Sequence, residues 1–223
     1  MTKPRIGLIH ATMNSVAPIH RAFSMHSEDV DLINFMDEGL IYELNTTNKI
    51  TTRMILRLCE LAGKAAESNV DAILFTCSSF TPYISRIASL LPVPVLSSDI
   101  SMLQEAVKRS ANISIVATVQ TAAPTTKGML FELAKKQKKK IEVNTYFIPK
   151  AFHELQKGNE SGHDKLIQDK IDEIDASSEV IILAQYSMAR AVEKIENQKV
   201  LTGPGIGADH IIRLAKEFKS GSS

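Results

Sequence analysis

The sequence predicts an α/β fold, built as two pseudo-symmetric doubly wound parallel-sheet half-domains with one site in the cleft between them. Three observations carry this expectation. Apolar runs alternate with helical patterns along all 223 residues, the order that gives parallel strands joined by right-handed crossovers. Uninterrupted runs such as Val180-Ile181-Ile182-Leu183 suit strands covered on both faces. Finally, three short segments recur in the same order. Ala11-Thr12-Met13-Asn14-Ser15-Val16-Ala17-Pro18 returns as Ala117-Thr118-Val119-Gln120-Thr121-Ala122-Ala123-Pro124. Phe75-Thr76-Cys77-Ser78-Ser79 is answered by Leu183-Ala184-Gln185-Tyr186-Ser187, and Val95-Leu96-Ser97 by Val200-Leu201-Thr202.

Taken in order, the apolar run 6–11 is the first strand and a helical pattern follows over 16–25. The second strand, 31–36, ends at Asp37-Glu38-Gly39, read as a loop and helix-entry device, and a long helix is expected over 47–68. Strand 71–76 leads through Cys77 into a helix over 79–90, then strand 93–97 and a helix over 99–110. The second half repeats the scheme, with strand 113–118 and a helix over 124–138 that places Met129, Leu130, Leu133 and Ala134 on one face. That helix ends in Lys135-Lys136-Gln137-Lys138-Lys139-Lys140, a solvated terminus where cations are favoured. Strand 141–148, helix 163–176, strand 179–184, helix 187–197 and strand 199–202 follow. Gly203-Pro204-Gly205-Ile206-Gly207 reads as a tight turn into the last helix, 206–218, and the tail Lys219–Ser223 is expected to fray. Residues 1–97 with the C-terminal helix 206–223 make one half-domain, and 98–205 the other.

Composition excludes several functions. Hydrophobic content of 44% and charge of 23% are ordinary for a globular chain. A net charge of +1 argues against nucleic acid or an anionic membrane as partner. No apolar run approaches the ~20 residues that span a bilayer. The segment Met1-Thr2-Lys3-Pro4-Arg5 has no apolar leader pattern after it, so no signal peptide is read and a cytoplasmic protein is expected. Two unlike cysteines give no disulfide framework.

In doubly wound sheets ligands sit beyond the carboxyl ends of the strands, where the repeated segments lie. Cys77 stands at such an end before a helix start, whose free N–H groups bind anions and lower a thiol's pKa. The same groups suit a substrate carboxylate or a developing enolate oxygen. Cys59, mid-helix in Leu56-Arg57-Leu58-Cys59-Glu60-Leu61, reads as core. Thr12, Ser15, Thr118 and Thr121 are candidates for a carboxylate cradle and equally for helix N-caps; Ser78 and Ser79 share both readings. Tyr186 and Ser187 border the position of Gln185. His10 is a candidate general acid or base, or a hydrogen-bonded histidine behind the site. His20, His26, His153, His163 and His210 share no metal-ligand spacing, so no metal is expected. The glycines of 203–207 lack the context of a dinucleotide fingerprint.

On Gly7-Leu8-Ile9, Phe75-Thr76-Cys77-Ser78-Ser79, the Thr118-x-x-Thr121 turn and Val200-Leu201-Thr202-Gly203, the chain resembles the aspartate/glutamate racemase superfamily over nearly its whole length. That superfamily includes hydantoin racemases, maleate isomerases and arylmalonate decarboxylases. The resemblance implies cofactor-independent chemistry at a carbon next to a carboxylate, on a small amino acid or related acid, by a homo-oligomer. It also implies two facing cysteines, one removing the α-proton and one returning it. Cys77 matches the first; the second position holds Gln185, which has no accessible ionisation but can hydrogen-bond an oxyanion. Racemase or epimerase chemistry therefore stands beside three alternatives: a one-cysteine decarboxylase or lyase, a cis–trans isomerase with Cys77 as nucleophile, and a non-catalytic carboxylate-binding protein. Family decarboxylases place their single cysteine at the second position, unlike this chain.

Overall fold

The structure, a computed structural model, describes residues 3–24, 26 and 29–221. The chain divides into two compact units, one of Met1–Ile100 with Pro204–Ser223 and one of Ser101–Gly203. In the first unit β1 (Arg5–His10), β2 (Asp31–Met36), β3 (Ala72–Phe75) and β4 (Val95–Ser97) form one parallel sheet in the order β2-β1-β3-β4. The chain thus leaves β1 for one edge and returns past it to the other. That makes the β1/β3 boundary the switch point at which such sheets hold ligands. The helices are α1 (Val16–Ser24), α2 (Gly39–Thr47), α3 (Thr52–Glu67) and α4 (Thr81–Ala88); α5 (Ile100–Arg109) follows β4 and belongs to the second unit from Ser101 onward.

Helix α3 shows how the core forms. Met54, Leu58, Ala62 and Ala65 recur on one face and pack with Ile9, Ile73 and Phe75 from the sheet; each large apolar side chain so buried contributes about 1.5–3 kcal/mol. Gly7 admits this approach, because a Cβ there would lie 3.3 Å from the Cβ of Ala65.

The second unit repeats the plan. Its parallel sheet runs β6-β5-β7-β8, from β5 (Asn112–Ala117), β6 (Glu142–Phe147), β7 (Val180–Leu183) and β8 (Val200–Thr202). Around it lie α6 (Ala122–Lys136), α7 (Pro149–Gln156) and α8 (Glu160–Ile174). Ile167, Ile171 and Ile174 of α8 pack with Val116, Ile181 and Leu183. Helix α9 (Gly203–Gly221) belongs to the first unit from Pro204 onward. Among the described residues no helix is long and apolar enough to cross a membrane.

The two sheets share one register. Ile6 pairs with Ala72 and Ile9 with Phe75; Ile113 pairs with Val180 and Val116 with Leu183. The next rung is also common, with Thr76 N–H donating to Ile9 O (2.9 Å) and Ala184 N–H to Val116 O (3.0 Å). Cys77 and Gln185 follow at equivalent positions. On the neighbouring strand, however, the residue level with Thr118 is Ala11. The turn before α1 is one residue longer than the turn before α6, so the matched letters align in the turns and slip by one at the strands. Thr12 and Thr118 are therefore not counterparts, a correction to the repeat as read from sequence.

Other elements differ from expectation. The helix expected over 47–68 is α3, which begins at Thr52 with Thr51 capping it by accepting from Met54 N–H (3.3 Å). Helix α2 lies before it, where no helix was expected, and Asn48, with a left-handed φ of 51°, turns the chain between them. Helix α7, opened by Pro149 with Ala151, Phe152 and Leu155 at helical spacing, was not expected. Residues expected as a helix over 187–197 form a 3-10 stretch, Tyr186–Val192. Gly203–Gly207 is the first turn of α9 and no separate turn, and α9 runs through Gly221, where fraying was expected. Ser222 and Ser223, like Met1 and Thr2, lie outside the described residues. In the lysine run, Lys139 Nζ donates to the carbonyls of Val107 and Lys108, capping α5 where solvation alone was expected.

Candidate active site

Cys77 follows the last rung of β3 and precedes a 3-10 turn, Ser78–Phe80, that leads into α4. Its thiol is half-buried and packs against the first unit's core. Burial pushes its pKa up to about 11; hydrogen bonding from Ser79 pulls the other way, and the carboxylate of Asp99 adds to the rise. The expected low-pKa thiolate is thus overturned. Desolvation outweighs the N–H groups of a short 3-10 turn, and the thiol keeps its proton at neutral pH. Cys59 packs in α3 as expected of a core residue.

Asp99, absent from the sequence-derived candidates, is the other ionisable group of this corner. It lies between β4 and α5, 3% exposed. One oxygen, Oδ1, accepts from the hydroxyls of Thr81 and Ser98 (the latter at 3.1 Å). The other, Oδ2, is buried without a hydrogen-bond partner. Burial pushes this carboxyl up to about 6.

At the end of β1, His10 is fully buried. Its Nε2 lies 3.0 Å from Asn34 Oδ1, which can only accept, so Nε2 carries a hydrogen. Nδ1 then accepts in the neutral ring, from Ser15 Oγ (3.0 Å) or Thr76 Oγ1 (2.9 Å). Burial lowers the His10 pKa, against the Asn34 hydrogen bond, which raises it. His10 and Ser15 thus form a closed polar network behind the strand ends. Thr76, part of the repeated segment, and Asn34, which nothing in the sequence marked, complete it. Thr12 caps the first turn, accepting from Asn14 N–H (3.3 Å).

The second unit's strand ends are arranged otherwise. Gln185 Oε1 accepts from the backbone N–H of Thr118 (2.8 Å), and Gln185 Nε2 donates to Thr118 Oγ1 (2.8 Å). This two-point latch joins β7 to β5. Thr118 is 1% exposed, so its backbone N–H is committed here and cannot serve as an anion donor. Thr121 precedes α6 without a side-chain cap bond, and its hydroxyl is buried without a partner. Tyr186 is buried and Ser187 half-buried in the 3-10 stretch after Gln185. Arg190 of that stretch is held by Asp164 of α8 (Nε to Oδ2, 2.8 Å), which also takes His163 Nδ1 (2.8 Å).

The remaining residues are structural. Asp37 accepts from Gly39 N–H (3.0 Å) at the start of α2 and from Arg57 Nε (2.9 Å). His20 meets Asn34 (2.8 Å) and His26 meets Asp209 (3.1 Å). Among the described residues no three His, Cys, Asp or Glu side chains cluster as metal ligands would.

Comparison with known proteins fits this geometry. The model of the Asp/Glu/hydantoin racemase family matches residues 7–210. Among solved structures, an aspartate racemase homologue from Pyrococcus horikoshii OT3 is 19% identical with a TM-score of 0.71, covering 97% of this chain and 100% of its own. Aspartate racemase from Picrophilus torridus is 15% identical with a TM-score of 0.72, covering 97% and 98%. Unliganded arylmalonate decarboxylase is 12% identical with a TM-score of 0.61, covering 96% and 93%. A comparison with curated protein sequences gives no match.

Proposed function

Because the chain belongs to the Asp/Glu/hydantoin racemase family and is an isomerase, we propose that it moves a proton at the carbon α to the carboxylate of a small amino acid or related acid. Cys77 is the group that gives and takes this proton, without a cofactor. The observation that carries the reading is the place of Cys77 at the switch-point end of β3, with its proton retained. In the giving direction the S–H bond breaks, a C–H bond forms at the α-carbon, and a thiolate remains. In the taking direction the rare thiolate acts as a strong base, suited to a weakly acidic α-proton. Ser78, Ser79 and the N–H groups of their turn are the donors for the carboxylate or the enolate oxygen.

A second reading is favoured by the latch. With both amide atoms of Gln185 on Thr118, that position supplies no acid or base, and a carbanion formed by loss of carbon dioxide would be protonated by Cys77 from one side only. One experiment separates the two. Chiral 2-amino and 2-hydroxy acids and prochiral malonates are incubated with the protein in deuterated water and followed by NMR. Deuterium entering the α-carbon supports the proton-transfer reading, without inversion if Cys77 acts alone and with inversion if a second acid–base group acts on the opposite face. A single-handed product from a malonate supports the second. Absence of turnover across the panel, with binding of one member, would refute both.

A further inference from the structure

Asp99 has no evident structural reason for its burial. A carboxyl with one oxygen buried and unpartnered, and with no cation paired to it among the described residues, lowers stability. Such groups concentrate where a protein uses their charge. Its seat ties it to the Cys77 corner. Thr81, which donates to Oδ1, is the first residue of α4, the helix that the Cys77 turn opens, and Ser98 and Asp99 follow β4, the strand beside β3. Phe75 pairs with Ser97, so Cys77 and Asp99 each stand two residues past the same rung. The hydroxyls of Thr81 and Ser98 and Asp99's own backbone N–H bond the carboxyl, and Cys77 is the titratable group its charge acts on.

We propose that Asp99 is a positioning residue for Cys77: its buried carboxylate keeps the proton on sulfur until a carbanion takes it, and makes the resulting thiolate a stronger base. This rests on the assignment of Cys77 as the proton-moving group, but its test needs no substrate. A thiolate formed beside an uncompensated carboxylate is destabilised by like charge, so the two groups titrate as a coupled pair.

The experiment uses Cys59→Ser protein, in which Cys77 is the one thiol left. Iodoacetamide labelling is followed against pH with Asp99 intact and in Asp99→Asn. With Asp99 present the rate should still be climbing at about pH 10; in Asp99→Asn the profile should shift down by about one unit, making labelling at pH 8 about tenfold faster. An unshifted profile overturns the proposal, whatever reaction the protein catalyses. Should Asp99→Asn fail to fold, as judged by circular dichroism, the side-chain carboxyl ¹³C signal of Asp99 is titrated by NMR in Cys59→Ser alone. Two inflections, one from Asp99 and one as Cys77 ionises, support coupling, and a single inflection overturns it. Loss of turnover in the deuterium experiment with a shifted labelling profile would refute the function but leave this pair intact.

Discussion

The two units set the same backbone rungs in the same register and put opposite chemistry on them. At the β1/β3 boundary the level residues are Ala11 and Cys77; at the β5/β7 boundary they are Thr118 and Gln185. Alanine makes no demand on its neighbour, so the Cys77 thiol stays unlatched and bears its proton beside Asp99. Threonine offers a hydroxyl and a backbone N–H, and a glutamine takes both. One register thus carries an open thiol at one strand end and a closed amide–hydroxyl pair at the other.

The largest effect should come from removing the thiol. Cys77→Ala should lower turnover by about 10²–10⁴-fold, the range for a lost general acid–base group, while leaving the circular dichroism spectrum unchanged. Equal turnover in the variant would assign the proton transfer elsewhere.

Next in size is the linkage of Asp99. Its carboxyl titrates near 6 when folded, against an ordinary 3.8, so the native state holds a proton that the unfolded chain has released. Stability therefore falls as pH rises from about 4 to about 6, and the loss persists above that. Asp99→Asn should remove it, stabilising the protein at pH 7 by at most about 3 kcal/mol and by well under about 1 kcal/mol at pH 4. Urea unfolding at the two pH values checks the sign, and an equal effect at both would remove burial of a charge as the cause.

Opening the latch comes third. Gln185→Ala leaves the buried N–H and hydroxyl of Thr118 without their partner and should cost about 2 kcal/mol, read as a lowered urea midpoint. Thr12→Val, at a turn cap in the other unit, should cost only about 1 kcal/mol. If the two losses were equal, the contrast between the strand ends would be one of names and not of packing.

Much of this was legible in the sequence. Alternating apolar runs marked all eight strands within a few residues, and the end of one run beside Cys77 marked the place of the thiol. What escaped has physical causes. Ser98-Asp99 reads as an ordinary helix start, and its burial depends on Thr81, eighteen residues away in sequence. The Thr12/Thr118 match was carried by turn letters, whereas strand pairing counts rungs, and one added turn residue moved Ala11 into the decisive place. The low pKa expected of Cys77 at a helix start fails because a single 3-10 turn supplies less than desolvation takes away.

The most direct test of the contrast follows deuterium entering the α-carbon of a turned-over acid, by NMR, in Cys77→Ala and in Gln185→Ala. Exchange should be lost in Cys77→Ala and persist in Gln185→Ala. Exchange that survives in Cys77→Ala and is lost in Gln185→Ala would contradict this, placing the proton transfer at the latched end.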